Sequence, residues 1–313
     1  MPGHVRLLEK SLSMLSPIIA VAVLSCGVGL AVPALAQQNG QETFPSAGKA
    51  ARALASALKS DDQAELLKIL GPDGKEIVSS GDQVEDKENR AEFAEKYEQM
   101  HRLVTEPDGK TTLYIGAENW PTPIPLAEKD GQWYFDTPAG KQEILYRRIG
   151  RNELAAIQIC RELVDAENEY YGQPHDGNPP HIYAEKFVSD PGTQDGLYWE
   201  ASDNRSPIGP LLAHASGMGY PAGQNPQPFH GYYFRILKEQ KGPGGAHSYV
   251  HDGKMTGGFA FIAYPAEYRN SGVMTFIVDK DGIVYEKDLG RNTAEMAMRL
   301  TVYSRDNGWR RAD

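Results

Sequence analysis

Cysteine and clustered positive charge are both scarce in this sequence. Only two of its 313 residues are cysteines, and no tract contains five or more basic residues in a row. Thirty-two basic against 42 acidic side chains give a formal net charge of −10. This balance disfavours a surface that neutralises phosphates, so we expect no nucleic-acid partner. Two cysteines also cannot form a cysteine-rich metal site.

Disorder throughout the chain is excluded by its composition. Hydrophobic residues make up 40% of the sequence, which is enough for ordinary cores. The length predicts two domains.

The first 36 residues have the pattern of an export signal. Two basic residues precede an apolar run over residues 15–30, and Ala34 and Ala36 supply the small side chains of a cleavage site. An uncleaved membrane anchor is the alternative, but it needs about 20 apolar residues and a polar stop. We therefore predict a cleaved leader and a periplasmic protein of a Gram-negative bacterium.

Cys26 leaves a second route to the membrane open. It ends a Val-Leu-Ser-Cys segment that loosely resembles a lipoprotein box, and a lipid there would make an outer-membrane lipoprotein. Met14 is an alternative start, because a hydrophobic segment still follows it. Cleavage after Ala36 leaves Cys160 as the only cysteine, which excludes an intrachain disulfide.

Residues 44–140, after a polar lead-in at 37–43, predict helices followed by an antiparallel meander. Lys129-Asp130-Gly131 is typical of a hairpin turn, because glycine adopts a positive φ without steric cost. The predicted helices cover 46–58, 61–70 and 86–104, and the predicted strands cover 111–116, 124–128 and 132–136.

This order resembles the cone-shaped fold of nuclear-transport-factor-2-like domains. The segment Pro-Leu-Ala-Glu-Lys-Asp-Gly-Gln-Trp-Tyr-Phe-Asp at 125–136 is similar to the strand–turn–strand of that fold. The resemblance implies a pocket, and we take Trp120, Trp133 and Phe135 as candidate ligand-binding residues at its mouth. Core packing is the alternative role for these aromatic rings.

Residues 141–313 predict a second domain. Apolar residues recur at helical spacing and predict a long helix over 141–171. Glycine, proline, asparagine and histidine dominate 172–230, but aromatic residues are spaced through that segment, so we expect an ordered, loop-rich cover. Strand patterns follow over 232–288, with a hairpin at Asp281-Gly282. This order of a long helix, a loop-rich cover and an antiparallel sheet is similar to the globular head of type IV pilins and pseudopilins. Taken together, the two segments predict an α+β fold of two domains.

The stretch 243–290 carries a further resemblance. It contains, in order, Pro-Gly-Gly-Ala, Asp-Gly-Lys-Met-Thr-Gly-Gly-Phe-Ala, Tyr-Pro-Ala-Glu-Tyr, Ser-Gly-Val-Met-Thr-Phe and Asp-Gly-Ile-Val-Tyr-Glu-Lys-Asp-Leu-Gly. These motifs resemble the exported bacterial family of domain of unknown function 2950, from about residue 44 to the C-terminus. The resemblance implies an envelope protein without an established activity and supplies no catalytic residues. Arg269 stands where related sequences typically have glycine.

Histidines are the natural candidates for a metal site. His247 and His251 have helical spacing, but neighbouring glycines favour a strand or loop, where their Cα atoms lie about 13 Å apart. A zinc ion would need His214 or His230 to converge with them, and the alternative is solvent-facing or capping histidines. The candidate metal ligands are His175, His181, His247 and His251.

No convergent reactive set emerges from the rest of the sequence. Ser216 lacks the glycine pattern of a nucleophile elbow, and Cys160 lies on the apolar stripe of the long helix. We therefore name no catalytic residue and expect no cofactor. The prediction is an exported, non-enzymatic protein that binds or scaffolds, with an unidentified cell-envelope protein as partner. The alternative is a periplasmic small-ligand-binding protein or a metal-dependent enzyme that uses the cone pocket or the histidine-bearing loops.

Overall fold

The computed structural model describes residues 40–200, 206–209, 211–212, 215, 227–306 and 308–312. The predicted leader, Met14, Cys26, His214 and parts of the cover lie outside these residues. Helices and mainly antiparallel sheets occur together, which confirms the α+β class. Within the described ranges, no helix combines the length and the apolar character that a membrane span requires.

Four helices open the described chain, and three of them begin at a side-chain cap. Ser46, Asp62 and Asp82 each accept a hydrogen bond from the backbone N–H three residues later, as N-cap residues do. The helices are α1 (Ala47–Lys59), α2 (Gln63–Leu70), α3 (Lys75–Val78) and α4 (Gln83–Gln99), with a 3₁₀ turn at Pro72–Gly74.

A five-stranded antiparallel sheet follows, in the order β1-β2-β4-β5 with β3 beside β2. The predicted hairpin is confirmed, because Lys129 pairs with Gln132 and both turn residues, Asp130 and Gly131, have positive φ. The strands are β1 (His101–Thr105), β2 (Thr111–Ile115), β3 (Trp120–Pro121), β4 (Leu126–Lys129) and β5 (Gln132–Phe135).

The predicted third helix, over 86–104, is wrong at its C-terminal end. Helix α4 ends at Gln99, and Met100 is extended. Leu103 then lies opposite Leu113 in the pairing of β1 with β2. Pairing with β2 thus overrides the helical spacing of residues 101–104. The sequence of that segment alone does not show which strand it will pair with.

Helix α5 (Thr137–Tyr171) connects the two halves of the chain. It begins before the predicted start at residue 141, with proline in its first turn, and runs through Gly150 without a break. Ile144 packs against the core of the N-terminal elements, whereas Cys160 and Leu163 lie in the core of the C-terminal elements. The expected boundary at 140/141 therefore falls within the first turns of a continuous helix.

The C-terminal half is built on a second antiparallel sheet, in the order β15-β13-β12-β11-β6. Ile262, in the interior strand between the third strand of this order and the edge strand, lies opposite Ile277 on one side and Arg235 on the other. Helix α5 packs against this sheet. A smaller sheet has the order β14-β7-β8. The elements are β6 (Tyr232–Leu237), β7 (Glu239–Gly242), β8 (Gly245–Ser248), β9 (Val250–His251), β10 (Lys254–Met255), β11 (Ala260–Pro265), β12 (Met274–Asp279), β13 (Tyr285–Asp288), α6 (Thr293–Arg299), β14 (Val302–Tyr303) and β15 (Arg310–Arg311).

The cover is irregular but packed over its described stretch, residues 172–200. That stretch contains isolated bridges and turns, without a regular helix or strand. Leu197 and Trp199 are nevertheless buried in the C-terminal core. The prediction of an ordered, loop-rich cover is confirmed for these residues.

Candidate ligand-binding cavity

A cavity of about 500 Å³ lies within the N-terminal half. Helices α1, α4 and α5 and the first sheet contribute to its wall, so the helix–meander arrangement creates it. Most of the wall is apolar. Its apolar side chains include Leu54, Leu58, Phe93, Ile115, Trp120, Ile124, Phe135 and Ile144.

Exposed charged side chains mark where the cavity meets solvent. Arg147 on α5 lies over the Trp120 ring, with its guanidinium carbon 5.7 Å from the ring centroid. Its Nε also donates to Glu143 Oε1 over 2.7 Å. Lys96 and Glu92, one turn apart on α4, form an ion pair of 3.1 Å. The rim is therefore polar, with an aromatic ring beside it.

Two buried guanidiniums lie at another part of the wall. Arg90 donates from Nε to Asp61 Oδ1 over 2.5 Å and from Nη1 to the carbonyl oxygen of Val78 over 2.9 Å. Asp86, one turn earlier on α4, accepts a hydrogen bond of 2.8 Å from the backbone N–H of Ser80. Burial raises the pKa of the Asp86 carboxyl, although the Ser80 hydrogen bond acts against this shift.

Arg148 is the second buried guanidinium, and all three of its hydrogen-bond acceptors are neutral. It is 8% exposed, and it donates to the carbonyl oxygens of Glu76 and Ile77 and to Asn270 Oδ1, over 2.6–2.7 Å. Within the described residues, none of its nitrogens lies within 4.0 Å of a carboxylate oxygen. Burial lowers the pKa of this guanidinium. Because arginine begins with a pKa above about 12, it stays charged at neutral pH.

An ion pair joins α4 and α5 beside these groups. Arg151 Nη2 lies 3.0 Å from Glu85 Oε1. Burial raises the pKa of the Glu85 carboxyl, and Arg151 partly opposes the shift. Glu85 Oε2 is buried and has no hydrogen-bond partner within the described part of the chain. The pair holds the two helices together next to the cavity.

The turn that follows β11 connects this region to the C-terminal half. Asn270 accepts from Arg148 and donates from Nδ2 to the carbonyl oxygen of Ser79 over 2.8 Å. Arg269, the neighbour that replaces a typical glycine, has a φ of 64°. That left-handed conformation explains why glycine suits this position. The Pro-Ala-Glu-Tyr motif thus belongs to a structural junction between the two halves.

The candidate aromatic residues separate into two groups. Trp120 and Phe135 line the cavity. Trp133 is not among its lining residues; it packs against the hydrophobic cluster that contains Phe44. Two backbone hydrogen bonds of 2.7 and 2.8 Å also join residues 44 and 133. Strand alternation alone does not distinguish these positions, since 133 and 135 share a face of β5.

The candidate histidines in the cover have partners of their own. His175 is buried, its ring stacks on Tyr170 at 3.8 Å, and its Nε2 lies 3.0 Å from the Tyr170 carbonyl oxygen. The His181 ring lies 4.9 Å from the ring of Tyr171. Both histidines therefore pack at the C-terminal end of α5.

The other histidines lie on exposed strands or beside β6. His247 Nε2 is 2.8 Å from the carbonyl oxygen of Pro243, and His251 is exposed in β9. The His230 ring lies 4.4 Å from that of Phe229. Over the described residues, no group of three or more His, Cys, Asp or Glu side chains is arranged to hold a metal ion.

The buried arginines are the site residues that the sequence analysis missed. The only local signal for Arg148 is its place beside Ile144 and Leu145 on an otherwise amphipathic helix. Its partners lie 71, 72 and 122 residues away in sequence. Helical spacing therefore gives no means to recognise it.

The fold and the cavity define an α+β protein with an internal cavity of mixed apolar and charged lining. The chain belongs to the family described as protein of unknown function (DUF2950), whose family model matches residues 41–312. No curated protein and no solved structure matches the chain. The similarities to nuclear-transport-factor-2-like domains and to pilin heads stay predictions.

Proposed function

We propose that this protein is exported to the cell envelope and binds a small amphipathic molecule in the N-terminal cavity, without catalysis. The observation that carries the proposal is the cavity itself. Its volume of about 500 Å³ falls within the range of roughly 300–1,000 Å³ that is usual for small-molecule sites. Such sites typically combine an apolar wall with a few polar groups, as this cavity does.

The chemistry of the wall supports binding rather than turnover. Among the described residues that line the cavity, none is His, Cys, Ser or Tyr. The buried charged groups already hold structural hydrogen bonds to backbone carbonyls and amides. Two of the three carboxylates of the wall are already engaged, Asp86 by the Ser80 N–H and Glu92 by Lys96.

The test is a cavity-blocking variant with a matched control on the same helix. Ile144→Trp places a larger ring at the cavity wall, whereas Leu154→Trp adds the same ring at a position that is 67% exposed. We expect amphiphiles such as decanol to raise the melting temperature of the wild type and of the Leu154 variant. The Ile144 variant should not respond. An equal response in all three proteins, or in none of them, contradicts the proposed site.

Export is tested separately from binding. The chain is expressed in a Gram-negative host and the periplasmic fraction is analysed by N-terminal sequencing. We expect a mature protein that begins at Gln37, because Ala34 and Ala36 fit the cleavage site. A cytoplasmic protein that retains residue 1 contradicts the export part of the proposal.

A further inference from the structure

We infer that the ligand is an anionic amphiphile, whose head binds beside Arg148 and Arg90 and whose tail contacts the apolar wall. This inference rests on the proposed function and specifies its ligand. The head is a carboxylate or a phosphate, since both accept hydrogen bonds from guanidinium groups.

Five basic and three acidic side chains line the cavity. Three further acids, Asp61, Glu85 and Glu143, pair with three of the arginines from outside the lining. The local charge available to a ligand therefore depends on which basic group lacks a carboxylate partner. The five basic residues are Arg90, Lys96, Arg147, Arg148 and Arg151.

Pairing distinguishes Arg148 from the other four. Each of the others has a carboxylate oxygen within 3.1 Å, on Asp61, Glu92, Glu143 or Glu85. The partners of Arg148 are two backbone carbonyls and one amide oxygen. Its charge is therefore the least compensated one in the cavity wall.

Arg148 also has donor capacity beyond these bonds. A guanidinium carries five N–H donors, and three hydrogen bonds from Arg148 occur within the described residues. The Nε–H and one Nη2–H make no hydrogen bond within the described residues. These two donors are available to a further acceptor, and the head of an anionic ligand would supply one.

The nearest acids compensate the site only in part. Asp86 and Glu85 both act on Arg148 electrostatically, but neither reaches it as an ion pair. Burial raises the pKa of both carboxyls. Neither acid therefore provides the close, hydrogen-bonded counter-charge that the other four basic residues have.

The first experiment varies the head and keeps the tail constant. Decanoate, decyl phosphate, decanol and decylamine are titrated calorimetrically into the purified protein. A charge-assisted hydrogen bond predicts about tenfold or more tighter binding of an anion than of decanol, with decylamine weakest. The ratio between decanoate and decyl phosphate identifies which head the site prefers.

The outcomes separate this inference from the proposed function. If all four probes bind equally and Ile144→Trp abolishes their binding, the ligand class is wrong but the cavity function stands. If decylamine binds best, the inference is likewise overturned. If no probe binds, both the ligand class and the cavity function are contradicted.

The second experiment varies the guanidinium. Arg148→Lys keeps the charge but loses the planar fork, and Arg161→Lys is the matched control at an exposed position of the same helix that does not line the cavity. We expect the Arg148 variant to lose about tenfold in decanoate affinity with little change for decanol. The control should change both by less than twofold. Equal losses for decanoate and decanol would assign Arg148 a purely structural role and overturn the inference.

Salt dependence of the wild type supplies a readout that needs no variant. Because Arg148 is 8% exposed, screening should affect a head bound there only weakly. We expect decanoate affinity to fall less than threefold between 50 and 500 mM NaCl. A fall of tenfold or more would place the anion at the exposed rim and contradict binding at Arg148.

Discussion

The hydrogen bonds of Arg148 predict a large difference between two adjacent arginines on α5. Arg148→Met removes three bonds from a buried, charged donor and leaves the carbonyl oxygens of Glu76 and Ile77 and the amide oxygen of Asn270 without it. Arg147→Met removes one exposed ion pair with Glu143 and the contact of the guanidinium with the Trp120 ring. The two substitutions exchange the same side chains, so the difference between them reports the two environments.

The magnitude follows from the acceptors that are left behind. Each buried acceptor without a partner costs about 1–3 kcal/mol, and we take the lower figure because the substitution also removes the cost of burying a cation. Arg148→Met should therefore lower the free energy of unfolding by about 3 kcal/mol. An exposed ion pair and an exposed cation–π contact are each worth under about 1 kcal/mol, so Arg147→Met should change stability by about 1 kcal/mol or less.

Urea unfolding followed by circular dichroism measures both values under the same conditions. The Arg148 variant should show a lower midpoint with an unchanged slope, which indicates a change in stability and not in the unfolded state. Equal stability of the two variants would refute the view that Arg148 joins the halves. A more stable Arg148 variant would refute it as well, and would mean that burial of this cation lowers the stability of the native protein.

Three further predictions test other parts of the structure. Gly150→Ala should stabilise the protein by about 0.5–1 kcal/mol, since a Cβ there meets open space in a helix interior. Gly140→Ala should destabilise it by about 1–3 kcal/mol, because a Cβ would lie 2.4 Å from the Pro123 carbonyl oxygen. Thermal unfolding compares the two glycine variants, and equal shifts in their melting temperatures would contradict the packing of α5. Burial raises the pKa of the Glu167 carboxyl well above its ordinary value of 4.5. The native state therefore keeps this proton up to a higher pH than the unfolded state does. The resulting contribution to the free energy of unfolding is fully present below the ordinary pKa of 4.5 and is lost as pH rises through the native pKa. Glu167→Gln should become more stable relative to the wild type between pH 5 and 8, and a constant difference in denaturant midpoints would refute the assignment. Burial also raises the pKa of the Cys160 thiol to about 12, so a thiol reagent at pH 8 should label it only after unfolding, and rapid labelling of native protein would contradict its burial.

Local patterns were sufficient for much of the secondary structure. The hairpin at Asp130-Gly131 and the strand over 232–237 are confirmed because their turn chemistry and alternation are properties of a few adjacent residues. The long helix is confirmed for the same reason, although its first turn was placed too late. The end of α4 was not predictable in this way, because residues 101–105 are extended only through their pairing with β2.

The cavity was predictable only in part. Trp120 and Phe135 were identified as candidates because large aromatic rings near a predicted pocket stand out in a sequence. Arg148 was missed because its burial depends on carbonyls in α3 and on Asn270 in a distant turn. Long-range contacts of this kind set the charge of the site, and a one-dimensional pattern does not contain them.

A crystal structure with 10-bromodecanoate tests the central claim most directly. The bromine gives an anomalous signal that locates the tail, and the density of the head shows its hydrogen-bond partners. We predict a bromine peak against the apolar wall near Phe93 and Phe135, with the carboxylate within 3.2 Å of an Arg148 nitrogen. A bromine peak outside the N-terminal cavity, or a carboxylate turned to solvent with Arg148 unoccupied, would contradict it.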